Sequence, residues 1–265
     1  MQVLIFLLSL KSSLIIFIFV SNYEYISRTK LIMTNTLIEP TETQGMLRPN
    51  TKQAENAIIG LKCVLIMEFV SIFFLYLEYS LLSSVSSKPT SEEAINANYD
   101  QQQFFSIISL FVYFISIVTF LKWFRRAYYN LGIRVSSLSC SNIRAAISWF
   151  IPIVSIYKPY QILKEMYRKT NYLLVQRYPE TEGILPMKLL HVWWFFYIVL
   201  NIIAFILTYL YLNIDSVKDI LTINGINTAF SLVNISLSIL TIKVVRRYAE
   251  AERLMARIRD ENNEI

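Results

Sequence analysis

Glu68 stands inside the apolar run Ile58–Leu82, the most expensive place in this sequence for a carboxylate. Near mid-membrane it would cost on the order of 3 kcal/mol if it faced lipid, so it should turn toward polar groups or water. A partner surface exists on another apolar run. Asn224, Asn227, Ser231, Asn234, Ser238 and Thr241 fall within about 100° of helix circumference at 3.6 residues per turn. Asparagine amides can donate to a carboxylate, so Glu68, Asn227, Ser231 and Asn234 form the candidate intramembrane polar site. Gly60, Ser71 and Glu78 share the side of Glu68, and Ser106, Ser109, Tyr113 and Ser116 make a narrower band on the second apolar run, 104–121. Such a set has two uses. Cross-helix hydrogen bonds contribute roughly 0.6 kcal/mol each and suffice as glue. A polar pathway for a proton or ion is the functional alternative.

Other chemistry is sparse. Cys63, Cys140 and the single His191 do not make a usual zinc site, and two cysteines are no disulfide framework. The five glycines are scattered, without a phosphate loop. Nothing resembles a nucleophile elbow. The expectation is a non-enzyme with no metal and no cofactor.

Those residues must be positioned by membrane helices. The chain is 55% hydrophobic and only 17% charged, with a mean hydropathy of +0.45. Four apolar runs, 58–82, 104–121, 189–212 and 220–242, meet or approach the roughly 20 residues needed to cross a bilayer. None has a charged face, which argues against a soluble bundle. The net charge of +6 is not a nucleic-acid signal, because the basic residues flank the apolar runs. Lys122–Arg144, Lys158–Lys188 and the tail after Lys243 are basic, whereas 83–103 and 213–219 are acidic. Basic loops stay cytoplasmic, so in a bacterial inner membrane Met33 and Ile265 are both expected on the cytoplasmic side of the 58–247 membrane domain.

Residues 1–32 do not fit a secretory signal. They are expected to be an over-extended start before Met33, with a further N-terminal span as the alternative. The stretch 33–57 is rich in Thr, Glu, Pro and Asn, and is expected to be a disordered tail. The apolar stretch 145–157 has basic segments on both sides. At 1.5 Å per residue it reaches only about 20 Å, and Pro152 removes a helix hydrogen bond within it. It is expected to be a re-entrant or interfacial dip. From Pro159 to Tyr178 the pattern is amphipathic, with Ile162, Leu163, Met166, Tyr167, Leu173 and Leu174 opposite Lys164, Glu165, Arg168 and Lys169. Such a helix should lie on anionic lipid of the cytoplasmic leaflet. Residues 248–265 should extend the last span as a charged helix carrying a Glu250–Arg253 pair.

Two boxes carry a resemblance. Trp123-Phe124-Arg125-Arg126-Ala127-Tyr128-Tyr129-Asn130-Leu131 follows the second run. Trp149-Phe150-Ile151-Pro152-Ile153-Val154 leads to Lys158-Pro159-Tyr160-Gln161, with Glu165 beyond, and Trp193-Trp194 opens the third run. In order and spacing this resembles the bacterial membrane family known as domain of unknown function 4328, over roughly 58–247. The resemblance implies a multi-pass membrane protein and brings no activity with it. Read residue by residue, Trp123, Trp149, Trp193 and Trp194 fit headgroup anchors, and His191 an interfacial residue. Arg125 and Arg126 are orientation charges or partners of Glu165.

The expected fold is therefore an all-α membrane protein with four transmembrane helices, a proline-broken dip and a cytoplasmic amphipathic helix. Its expected role is a non-enzymatic scaffold or regulatory component, with a protein partner or a second copy. A small transporter or channel around Glu68 is the alternative.

Overall fold

The computed structural model describes residues 47–85, 92–135 and 137–263. The expectations for 1–32, and for most of 33–57, lie outside the described residues. In chain order the elements are α1 (Thr51–Val85), α2 (Glu92–Arg134), α3 (Asn142–Ile147), α4 (Pro152–Ser155), α5 (Lys158–Arg177), a 3-10 turn (Pro179–Thr181), α6 (Met187–Tyr211) and α7 (Val217–Asn263). Four of these, α1, α2, α6 and α7, are long and apolar enough to cross a membrane.

The spans outrun their apolar cores. α2 and α7 continue well past the stretches 104–121 and 220–242, because a helix needs only satisfied backbone and a buried stripe to go on into water. Residues 47–57 are correspondingly not a loose tail. Thr51 already starts α1, and Ala54 and Ala57 are buried.

α1 and α7 run antiparallel along one seam with a single register. On α7 the buried positions alternate three and four apart: Asn224, Asn227, Ser231, Asn234, Ser238, Thr241, Val245, Tyr248 and Glu252. On α1 the same spacing runs through Ala54, Ala57, Leu61, Val64, Glu68, Ser71, Leu75 and Glu78. This is the spacing that keeps two helices face to face over many turns. Three amide–carboxylate rungs cross the seam: Asn50 Nδ2 to Glu252 Oε2 at 2.8 Å, Asn234 Nδ2 to Glu68 Oε1 at 2.6 Å, and Asn224 Nδ2 to Glu78 Oε2 at 2.8 Å. A slip by one heptad would break all three, so they pin the register. α2 packs on the other flank of α1. A Cβ on Gly60 would stand 3.0 Å from the Ser116 Cα and from Thr119 Oγ1, tighter than ordinary contact, so this close approach favours glycine.

Ser216 and Asp219 cap α7 reciprocally: Ser216 Oγ donates to Asp219 Oδ2 at 2.7 Å and accepts from the Asp219 N–H at 3.2 Å. The stretch 145–157 is broken, as Pro152 demands. Ile151 is extended (φ −79°, ψ 117°), and Pro152 and Pro159 sit in the first turns of α4 and α5. Ile153, Ile156 and Tyr157 are exposed.

The amphipathic helix departs from expectation. α5 buries Ile162, Leu163, Met166, Tyr167, Thr170 and Leu174 completely. Its apolar face meets the extension of α7 rather than lipid. Tyr167 stacks on Tyr248 with ring centroids 6.2 Å apart, and the Thr170 and Tyr248 hydroxyls are 3.3 Å apart. Protein covers that stripe because α7 runs on far enough to meet it. On α7 itself, Arg247 approaches Glu250 and Arg253 approaches Glu55, each at 4.0 Å, in place of a Glu250–Arg253 pair.

Candidate functional site at the intramembrane carboxylate

Glu68 lies ten residues, about 15 Å, beyond Ile58 and so near the middle of a hydrocarbon core about 30 Å thick. It is buried, 3% exposed. Asn234 Nδ2 donates to it, and the Ser231 side chain hydrogen-bonds it as well. The same Asn234 amide donates to Tyr113 Oη at 2.9 Å, so one amide joins α1, α2 and α7. Asn227 shares the surroundings, but its amide is turned to Tyr211 Oη of α6 at 2.8 Å.

Glu68, Ser231, Tyr113 and Asn227 face a crevice of about 80 Å³ between the four spans. Its polar lining is Glu68, Ser71, Gln102, Ser106, Tyr113, Asn227 and Ser231 among others, and its apolar lining includes Phe105, Leu207 and Phe230. From the level of Tyr113 to Gln102 it climbs about 16 Å along α2, away from the basic end. One water needs about 10–15 Å³ of such space, so several fit. Glu68 is the one rung carboxylate of the three that opens on this crevice. Ser106 Oγ donates to Gln102 O at 2.7 Å and Ser109 Oγ to Phe105 O at 2.9 Å, each within its own helix.

The boxes do other work, at the basic end. The first holds the chain that leads into α1. Asn130 pairs with the Arg48 backbone in both directions, accepting its N–H at 3.0 Å and donating to its carbonyl at 2.8 Å. Its Nδ2 also donates to Glu252 Oε1 at 2.9 Å. Arg126 Nη1 donates to Pro49 O at 2.6 Å, and the Arg48 guanidinium lies 4.2 Å from the Tyr129 ring centre. Arg126 is thus a peptide clamp and not a partner of Glu165, and Arg125 is exposed.

Glu165 instead ties α5 to the turn after α2. It accepts from Tyr128 Oη at 3.0 Å, from the Ser139 N–H at 3.0 Å and Oγ at 2.7 Å, and pairs with Lys169 at 2.9 Å. Lys169 also donates to the Ser137 carbonyl. Burial pushes the Glu165 carboxyl up, but the hydrogen bonds from Lys169, Ser139 and Tyr128 outweigh it and hold it below the ordinary carboxylate range.

Trp123 is not a headgroup anchor. It is fully buried among Phe120 and Tyr248, and its indole N–H has no hydrogen-bond partner among the described residues. Trp193 is buried too and donates from Nε1 to Thr241 Oγ1 at 2.8 Å. Trp149 fits edge-on against Phe120, Phe124 and Tyr197. Trp194 is half-buried and stacks on Tyr160 and Tyr197. His191 is exposed beside Tyr160. No metal-ligand cluster occurs among the described residues.

Sequence reasoning passed over Tyr211, Gln102, Asn50 and Glu252. A signal for Glu252 existed, since the three-four alternation of α7 runs through Thr241, Val245 and Tyr248 to it. None existed for Gln102, whose place in the crevice depends on neighbouring helices, or for Tyr211, whose hydroxyl meets Asn227 only through the packing of α6 on α7.

Fold and site define a multi-pass all-α membrane protein with a polar intramembrane crevice. The chain belongs to the family described as Domain of unknown function (DUF4328), which matches residues 87–250. No curated protein and no solved structure matches it.

Proposed function

We propose that this is a non-enzymatic bacterial inner-membrane protein, its basic end in the cytoplasm, that carries or conducts a proton or small cation by way of Glu68. One observation supports this reading above the others: the Glu68 carboxylate opens on a crevice with polar groups from α1, α2 and α7. A carboxylate serving only as glue needs its one partner and no space for water. Glu68, Tyr113, Ser71 and Ser231 together offer oxygen ligands of the kind a hard cation or a hydronium takes.

The test is flux. The purified chain in vesicles should dissipate an imposed proton, sodium or potassium gradient, and Glu68→Gln should abolish this while eluting as wild type. No flux of any of the three from well-folded protein would remove the proposal.

A scaffold or regulatory role is the second reading, favoured by the layer that α5 and the extended α7 build at the basic end. A stoichiometric protein partner from native membrane, together with absent flux, would select it.

A further inference from the structure

The charged face of α5 is left outward once its apolar face is buried on α7. It forms one wall of a groove of about 970 Å³ lined by Lys158, Lys164, Glu165, Arg168 and Lys169, with Met187 on its rim. Glu165 and Lys169 neutralise each other. No carboxylate lies within ion-pair distance of Lys158, Lys164 or Arg168 among the described residues. The groove therefore carries three uncompensated cations where α6 begins.

A second hollow of about 450 Å³ lies deeper along α6, lined by Trp149, Ile156, Tyr197, Ile198, Ile202 and Phe205 among others. Ile156, Ile202 and Phe205 are exposed in it. At 100° per residue, Met187, Trp194, Ile198 and Phe205 lie within about 40° of one another, so one face of α6 joins the groove to the slot. Along the axis, Tyr197 is about 15 Å and Phe205 about 27 Å beyond Met187. The phosphate level of a bilayer lies about 20 Å from the midplane, so these spans match a lipid's head and chain. Between them Tyr160 stacks on Trp194, with the rings 5.5 Å apart, at the level where amphipathic aromatics favour the interface. The other wall is continuous as well, since Lys158 follows Ile156 by two residues.

We infer that groove and slot together hold one anionic phospholipid, its phosphate among Lys158, Lys164 and Arg168 and an acyl chain beside Ile156, Ile198, Ile202 and Phe205. Charge complementarity selects the headgroup, and the shared face of α6 selects a lipid over a soluble anion. Each cation near an anionic headgroup is worth about fivefold in affinity, so three give on the order of a hundredfold.

The experiment is tryptophan quenching of the full chain in neutral detergent micelles. Phosphatidylglycerol brominated on its chains is compared with brominated phosphatidylcholine. Trp149 lines the slot and reports an adjacent bromine. The phosphatidylglycerol should quench at on the order of a hundredfold lower concentration. The Lys158→Gln, Lys164→Gln, Arg168→Gln triple variant should bring it to the phosphatidylcholine value. Ile202→Phe, which narrows the slot, should weaken quenching by both lipids. Should the triple variant not fold, raising salt from about 0.05 to 0.5 M on the wild type must erase the preference, because Arg168 is exposed and Lys158 and Lys164 are partly so, within reach of screening ions. Equal quenching by the two lipids in wild type overturns the inference. Displacement of the brominated phosphatidylglycerol by millimolar inorganic phosphate also overturns it, and assigns the groove to a soluble phosphate.

Discussion

Replacing both members of the central rung should harm the protein less than replacing either one. Glu68→Leu leaves the Asn234 amide buried with one acceptor, Tyr113 Oη, where it had two. Asn234→Leu leaves the Glu68 carboxyl with Ser231 alone of its two side-chain partners. A buried polar group stripped of a partner costs about 1–3 kcal/mol, whereas apolar replacement of both partners is near neutral. Each single variant should therefore lose about 1–3 kcal/mol, and the double less than either. The coupling is then at least as large as one single loss, about 1–3 kcal/mol, at or above the upper end of what hydrogen bonds between membrane helices contribute. The end rung, Asn224 to Glu78, is a control. It is only part-buried, so water can replace either partner and its coupling should be about 0.5 kcal/mol or less. The assay is reversible unfolding in mixed micelles with rising dodecyl sulfate fraction, followed by far-UV circular dichroism. If the Glu68 and Asn234 losses add, the two side chains do not meet in the folded protein and the register assigned to α1 and α7 is wrong.

Three further outcomes are expected. In a background lacking Cys63 and Cys140, single cysteines at Arg168, Arg177 and Arg253 should be labelled by an impermeant reagent from one side of the membrane and a cysteine at Asp215 from the other. A single cysteine at the exposed Arg125 should label from the same side as one at 168, and labelling of 125 and 168 from opposite sides would mean that 145–157 crosses. Asn130→Ala frees the Arg48 backbone and removes one of two amides from Glu252, so it should cost about 1–3 kcal/mol. It should also open the chain near Arg48 to trypsin, and unchanged proteolysis would show that the clamp does not hold that segment. Glu165 has a folded pKa below its unfolded value. Its contribution is therefore complete above the ordinary carboxylate pKa of about 4.3 and is lost only as pH falls through the lower folded value. Glu165→Gln should flatten the acid limb of a stability profile in that window, and an unchanged limb would show that its ties to Ser139 and Tyr128 add no stability.

Much of this protein was legible in the order of its residues. Four spans follow from apolar run lengths, because only a helix satisfies its backbone alone in hydrocarbon. The break at Pro152 follows from a missing N–H. Glu68 and the asparagine stripe stand out because polar groups in an apolar run are costly, and their helical spacing already placed Asn234 and Ser231 on one face. Tertiary structure decided which partners those groups take. Whether α5 rests on lipid or protein depends on whether α7 reaches it, and a hydrophobic stripe is the same for both. Trp123 and Arg126 were ambiguous for the same reason, since an indole or a guanidinium beside a span suits a headgroup as well as a neighbouring helix. The crevice belongs to no single segment. Its lining comes from four helices whose register is set by contacts as far apart in the chain as Asn50 and Glu252, and local sequence carries no record of that distance.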